Sequence, residues 1–281
     1  MDSIHISLQA ETLGYLFGLP ITNSLVLSLV TAFSLVGGGF LVAKRLKWVP
    51  GKAQGMVELI IGGLLDFMAQ VVGDRKQALT FFPLVATIFL FILFNNWIGV
   101  LPGIGSFGFY TVAEATEEEI KIGEEVGLIP EEEAVQLEKE LKHEEKEFVP
   151  FFRSANADLN TTFALAIIAV FAVQLYAIQK LGFFAQVGKY IDFKHGPIHF
   201  FVGLLEIVGE FARIVSFSFR LFGNIFAGEV LLVIIMTLVP VVIPLPFIFL
   251  EFFVGFIQAL VFAMLTLVFL KVATMKVEPE H

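Results

Sequence analysis

Arg220 sits near the middle of an apolar stretch running from His199 to Val239, in the run Phe219-Arg220-Leu221-Phe222-Gly223-Asn224-Ile225-Phe226-Ala227-Gly228-Glu229. A guanidinium keeps its proton in any protein environment, so this charge is permanent. Holding it at bilayer depth costs from ~3 to above 10 kcal/mol. Such a residue marks an ion pathway by default. A helical projection at about 100° per residue puts Glu206, Glu210, Arg213, Arg220 and Asn224 on one narrow stripe. Ser216 belongs to the same segment, between Arg213 and Arg220. Glu229 falls about 180° from Arg220 and roughly 13 Å further along the axis, so it faces the other way. In the next apolar segment Glu251 and Gln258 are seven residues apart and share a face.

If the two segments form an antiparallel hairpin, residues at equal depth have nearly constant index sums. Arg220 with Gln258 and Glu229 with Glu251 then agree on a turn near residue 240. Glu229 and Glu251 meet toward one side of the membrane, where two close carboxyls titrate as a pair and form a proton relay. Glu206 and Glu210 lie toward the other side and serve a second access route. Arg220 stands between the routes, so protons cannot hop directly past it. A conductor blocked at its midpoint requires a moving partner that carries the ion around the block.

Plainer roles compete with these. Arg220 as a structural ion-pair partner of Glu206 or Glu210 is one. Glu229 and Glu251 as an interhelical clamp, and Asn224 and Gln258 as interhelical hydrogen-bond glue, are others. Arg213 reads better as a local partner of Glu206, Glu210 or a lipid headgroup than as a second functional cation. Asn95, Asn96 and Asp158 read as helix-end or cap residues, with Asp158 also near the outer mouth. The five histidines show no metal-ligand spacing, and the sequence implies no cofactor.

The elements that must position these groups are membrane helices. The 281-residue chain is 57% hydrophobic and holds 33 Phe, a surplus that soluble domains do not carry. Five segments are long enough for the ~20 residues that spanning takes: about Thr22 to Ala43, Leu79 to Leu101, Leu159 to Ile178, Phe200 to Val239 and Phe247 to Val272. Between the first two, Gly51 to Gln77 has apolar residues at helical spacing beside Lys52, Glu58, Asp66 and Asp74. It reads as an amphipathic surface helix. The fold class is therefore an all-α polytopic membrane protein: five membrane-embedded helices plus one surface helix. The fourth segment as one helix is ~60 Å long, against a hydrocarbon core of ~30 Å. That predicts a long, strongly tilted hairpin with the fifth.

Lys44, Arg45, Lys47, Lys52, Arg75, Lys76, Lys180, Lys189, Lys194, Lys271 and Lys276 all fall on one side of such a chain, which should be cytoplasmic. The N-terminus then lies outside and the C-terminus inside. Met1-Asp2-Ser3 lacks the basic start of a cleavable signal, so the first apolar segment should be retained. The net charge of −9 resides in one place. Glu114 to Glu147 holds fourteen Glu and four Lys, so that stretch carries −10 and the rest of the chain +1. The acidity argues against nucleic-acid binding. Three regions follow: residues 1–110 with the first two spans and the surface helix, an acidic outward-facing insert over 111–149, and 150–281 with the third span and the hairpin. Glu131 to Glu147 is expected to form a short charged helix in that insert, which should make a cap or hairpin.

The motifs resemble one family. Arg220 to Glu229, with Glu206 upstream and Gln258 in Phe256-Ile257-Gln258-Ala259-Leu260-Val261-Phe262, is similar to subunit a of the F-type ATP synthase membrane sector. Val49-Pro50-Gly51-Lys52, Asn96-Trp97-Ile98-Gly99-Val100-Leu101-Pro102 and Ala157-Asp158-Leu159-Asn160-Thr161-Thr162 match other stretches of that family. The resemblance covers about residue 22 to the C-terminus, apart from the acidic insert. It implies that Arg220 faces the carboxylate of the rotating c-ring and prevents leakage. It implies that Asn224, Glu229, Glu251 and Gln258 line the outer half-channel, and that Glu206 and Ser216 lie on the cytoplasmic route. It also implies the c-ring and peripheral-stalk b subunits as partners, in a bacterial inner or plasma membrane. Many members carry a histidine at one of the positions held here by Glu229 and Glu251, which leaves open the relay carboxyl and the choice of H⁺ or Na⁺. The chain has no Gly-x-x-x-x-Gly-Lys loop, so nucleotide chemistry belongs to partners and the chain is no enzyme on its own. A stand-alone transporter should show internal repeats, and none is evident. A non-conducting scaffold would not need the buried Arg and Glu pattern.

Overall fold

A computed structural model describes residues 10–101, 103–104, 107–112, 146–190, 197–239 and 243–275. The chain is an all-α polytopic membrane protein. Its helices are α1 (Asn23–Lys44), α2 (Lys52–Val72), α3 (Arg75–Val100), α4 (Leu159–Leu181), α5 (Phe183–Tyr190), α6 (Pro197–Leu238) and α7 (Pro244–Ala273). Two small antiparallel hairpins, β1 (Thr12–Leu16) with β2 (Leu19–Thr22) and β3 (Gly108–Val112) with β4 (Lys146–Pro150), stand beside the helices. Neither these strands nor α5 was predicted, because each is too short to give a periodic signal. The second hairpin joins the two ends of the acidic insert. The described end of the charged helix expected over Glu131 to Glu147 is instead strand, at Lys146 and Glu147. The remainder of that expectation, the turn at Pro240, and His5, His143, His195 and His281 lie outside the described residues.

Local chemistry sets the helix ends. Thr22 caps α1 by accepting from the Leu25 amide. Asp74 caps α3 through the amides of Lys76 and Gln77, and Asp158 caps α4 through that of Asn160. Each cap satisfies backbone donors that the first turn leaves free. Gly73, at φ 80°, ends α2 in the left-handed region that glycine occupies without steric cost. Pro197 and Pro244 open α6 and α7, where a missing N–H costs nothing.

One core joins α2, α3, α4, α6 and α7. It draws on Met68 and Val72 of α2, Phe81, Val85 and Ile92 of α3, and Ala166, Ala169 and Val173 of α4. Phe217, Leu221 and Ile225 of α6 meet Phe262, Leu267 and Leu270 of α7 in the same cluster. Lipid tails are as apolar as these side chains, so close packing and hydrogen bonds hold the helices together. The small buried residues Ala166, Ala169 and Ala177 suit close approach of helices, and Thr162 shares a 3.0 Å hydrogen bond with Ser218 across α4 and α6. Asn96 donates to the Gly255 carbonyl and Trp97 to that of Phe252, tying the end of α3 to α7.

Among the described residues, six helices are long and apolar enough to cross a membrane, Gln54–Val72 being one of them. Length and composition alone therefore do not separate α2 from the spans. Its contacts are more informative. Gln54 bonds the backbone of Lys47 just after α1, and the Val71 carbonyl accepts from Lys271 near the end of α7. The N-terminal ends of α1 and α4 meet elsewhere, with Ser24 donating to Asp158 at 2.9 Å.

Candidate functional site

The long helix is unbroken through all the residues in question. Its 42 residues from Pro197 to Leu238 make it about 63 Å long. One face, carrying Phe217, Leu221 and Ile225, is buried against the core. A neighbouring face, carrying Ser216, Arg220, Gly223, Asn224 and Ala227, is exposed.

Arg220 makes no ion pair among the described residues, and its Nη2 lies 3.4 Å from Ser216 Oγ on the preceding turn. The ion pair with Glu206 or Glu210 considered for it is absent from its surroundings. Glu210 pairs with Arg213 at 2.7 Å, and Arg213 also lies over the Phe269 ring, 4.0 Å from its centroid. Arg213 is thus engaged locally. Glu206 is exposed on the same helix.

Across the hairpin, Asn224 Nδ2 donates to Gln258 Oε1 at 2.7 Å. The expected partner depth for Gln258 was Arg220, one turn away. Side chains lean toward the N-terminus of their own helix. In an antiparallel pair the two leans are opposed, which accounts for the offset. Gln258 is only 4% exposed.

The carboxylate of Glu251 packs directly against the Gly228 backbone, beside Glu229. A Cβ at position 228 would overlap that carboxylate and force it to move. The two glutamates therefore meet as the hairpin register predicts. They differ in their partners. Glu229 Oε1 lies 3.4 Å from Nε of Arg153, a residue 8% exposed in the linker after β4. Glu229 Oε2 and Glu251 Oε1 are buried without a hydrogen-bond partner among the described residues. Asp158 accepts from Ser24 and Thr161 as well as capping α4, and is fixed rather than free to move.

Arg153 has no role in the sequence reading above. Its placement beside the Asn156 and Asp158 turn was the available signal. A second group also escaped notice. Gln186 donates to Gln174 at 2.8 Å, and both lie beside the Tyr190 phenol near Glu206 and Glu210. Burial pushes the Tyr190 phenol up, and the two nearby carboxylates add to the effect. No group of three or more metal-ligating side chains occurs among the described residues.

The family described as ATP synthase A chain matches residues 24–271. The chain belongs to the ATP synthase A chain family. Similar proteins include ATP synthase subunit a of Syntrophobacter fumaroxidans, 32% identical over 266 residues, covering 93% of this chain and 87% of that protein. Subunit a of Geotalea daltonii is 31% identical over 234 residues, 82% of this chain and 78% of its own. Subunit a of Geobacter sulfurreducens is 29% identical over 275 residues, 96% and 91% respectively. Family membership places the chain in the membrane and in ATP synthesis and ion transport, and the matched region contains every site residue discussed above.

Proposed function

We propose that this chain is the non-catalytic stator channel of a rotary F-type ATP synthase. Protons pass through two offset half-channels to and from a carboxylate on the c-ring, and their flow is coupled to ring rotation and ATP synthesis. The observation that carries the reading is the exposed, carboxylate-free setting of Arg220 on the membrane helix α6. A permanent charge at that depth requires an anion, and none is in contact with it among the described residues. A ring carboxylate arriving from outside the chain supplies one.

Small residues flank the arginine on the same face, at Gly209, Ser216, Gly223 and Ala227, and a Cβ at either glycine would meet open space. That relief admits a neighbouring helix closely. Asn224, Gln258, Glu229, Glu251 and Arg153 extend from the arginine toward the ends of α3 and α4, the outer half-channel. Ser216, Glu206, Glu210 and Tyr190 extend the other way, the cytoplasmic half-channel. Arg220 separates them electrostatically, so a proton crosses only by riding the ring.

The same reading sets the chain in a bacterial inner membrane, N-terminus outside and C-terminus cytoplasmic, next to peripheral-stalk b subunits. We take α2 to lie along the cytoplasmic surface, because its first turn bonds the segment after α1 and its last turn bonds the end of α7. The hairpin of α6 and α7 is strongly tilted, since about 63 Å of helix exceeds a ~30 Å core.

Inverted membrane vesicles containing the intact complex test the function. Arg220→Ala should abolish ATP-driven proton pumping while ATP hydrolysis by the soluble sector continues. Pumping that persists at the wild-type rate sinks the reading. Omitting Na⁺ separates the ions: proton pumping continues without it if the chain conducts H⁺.

A further inference from the structure

The two outer glutamates are chemically alike but differently held, and Arg153 is the source of the difference. The segment from Phe151 to Asp158 is clamped on the end of α3. The Phe151 amide bonds the Phe107 carbonyl, and Asn156 donates to Asn96 at 2.7 Å and toward the Ile92 carbonyl. Ser154 sits where any Cβ on Gly99 would fall. Arg153 is thereby presented to Glu229 from a fixed backbone. Its Nε lies 3.4 Å from Glu229 Oε1. Glu251, on the other side of Gly228, makes no ion pair among the described residues.

That contact distinguishes the pair. Glu229 has a guanidinium beside it, whereas Glu251 is 7% exposed and makes no ion pair among the described residues. Burying an ionised carboxylate is costly unless a cation is paired with it. The proton belongs on the carboxyl that has no cation in contact. We propose that Arg153 is a positioning residue that fixes Glu229 as the standing anion of the outer half-channel and leaves Glu251 to carry the exchangeable proton. This rests on the proton-channel reading above. In the synthesis direction, the O–H bond at Glu251 breaks and one forms at the ring carboxylate, past Gln258 and Asn224. The Glu251 carboxylate then takes a proton from water on the outer side.

ATP-driven pumping by the intact complex in inverted vesicles tests this, normalised to ATP hydrolysis and to the amount of assembled subunit. Glu251→Gln should lower pumping by about 100-fold, the scale for loss of a proton-transfer group. Glu229→Gln should lose less than tenfold. Arg153→Leu should lose about tenfold, the scale for loss of a residue that orients another. Arg153→Lys should recover most of that, because the contact is a single one and not a bidentate fork. In a Glu229→Gln background, Arg153→Leu should cost nothing more. Wild-type pumping by Arg153→Leu, or an undiminished loss in the Glu229→Gln background, overturns the proposal. Should Arg153→Leu fail to assemble, the glutamine pair decides: Glu229→Gln as damaging as Glu251→Gln overturns it. Arg220→Ala separates the two levels. If that variant still pumps, the channel reading itself falls. If it is silent while Arg153→Leu pumps normally, only the role of Arg153 falls.

Discussion

Asn224 and Gln258 bond side chain to side chain at 2.7 Å, linking α6 and α7 one helical turn from Arg220. The contact fixes the hairpin register near the depth of Arg220, which makes no ion pair among the described residues. It also lends each amide a polar neighbour that lipid would not supply.

That pair should behave as a unit. Asn224→Leu and Gln258→Leu should each reduce pumping about 3- to 20-fold, matching the ~0.6–1.7 kcal/mol of a membrane hydrogen bond. The double variant should be little worse than either single one. Strictly multiplicative losses in the double-mutant cycle would show that the two residues act separately.

Gly228 should tolerate no side chain. In Gly228→Ala the new methyl displaces the Glu251 carboxylate, and pumping should fall at least tenfold, a reorientation cost of about 1.4 kcal/mol or more. Gly62→Ala in α2, where a Cβ meets open space, should pump as the wild type does. Equal behaviour of the two variants would contradict the packing of Glu251 on Gly228.

The local pair of Arg213 and Glu210 should be structural. Arg213→Ala leaves a half-buried carboxylate alone and removes a guanidinium from the Phe269 ring. It should destabilise the detergent-solubilised complex by about 1–3 kcal/mol. Adding Glu210→Gln should restore part of that loss. Arg220→Ala, which breaks no ion pair with a described residue of this chain, should lower the thermal midpoint less than Arg213→Ala does. Thermal unfolding of the three variants checks this contrast.

Gly99 should be as strict as Gly228 for a different reason. A Cβ there comes within 2.6 Å of the Ser154 Cβ and 3.1 Å of its Cα, and backbone cannot swing aside. Gly99→Ala should lower the amount of assembled subunit through an overpacking cost of about 1–3 kcal/mol. Ser154→Gly in the same chain should restore assembly. Quantifying the subunit in membranes by immunoblot, with and without the second change, decides it.

Much of this was legible in the residues. A long apolar segment without an internal proline dictated one helix, and one helix fixed which side chains share a face. Arg220 opposite Glu229, and Glu251 seven residues before Gln258, follow from helical repeat alone. The index sum of an antiparallel pair then brought Glu251 to Gly228 and Glu229. These are local rules, and they hold wherever the helix is unbroken.

Other features depended on contacts between segments far apart in the chain. The lean of side chains in opposed directions moved the partner of Gln258 from Arg220 to Asn224. Helical spacing beside Lys52, Glu58, Asp66 and Asp74 made α2 read as a surface helix, its length and apolarity equally suit a span, and only the tertiary contacts of Gln54 and Val71 tie its two ends to the segment after α1 and the end of α7. Arg153 is 76 residues from Glu229 in sequence, so no periodicity links them. The sequence by itself determined the membrane class, the family motifs and the arginine with its flanking acids. Tertiary structure alone decided which glutamate has a cation beside it, because that contact crosses from a clamped linker to a helix that shares no local pattern with it.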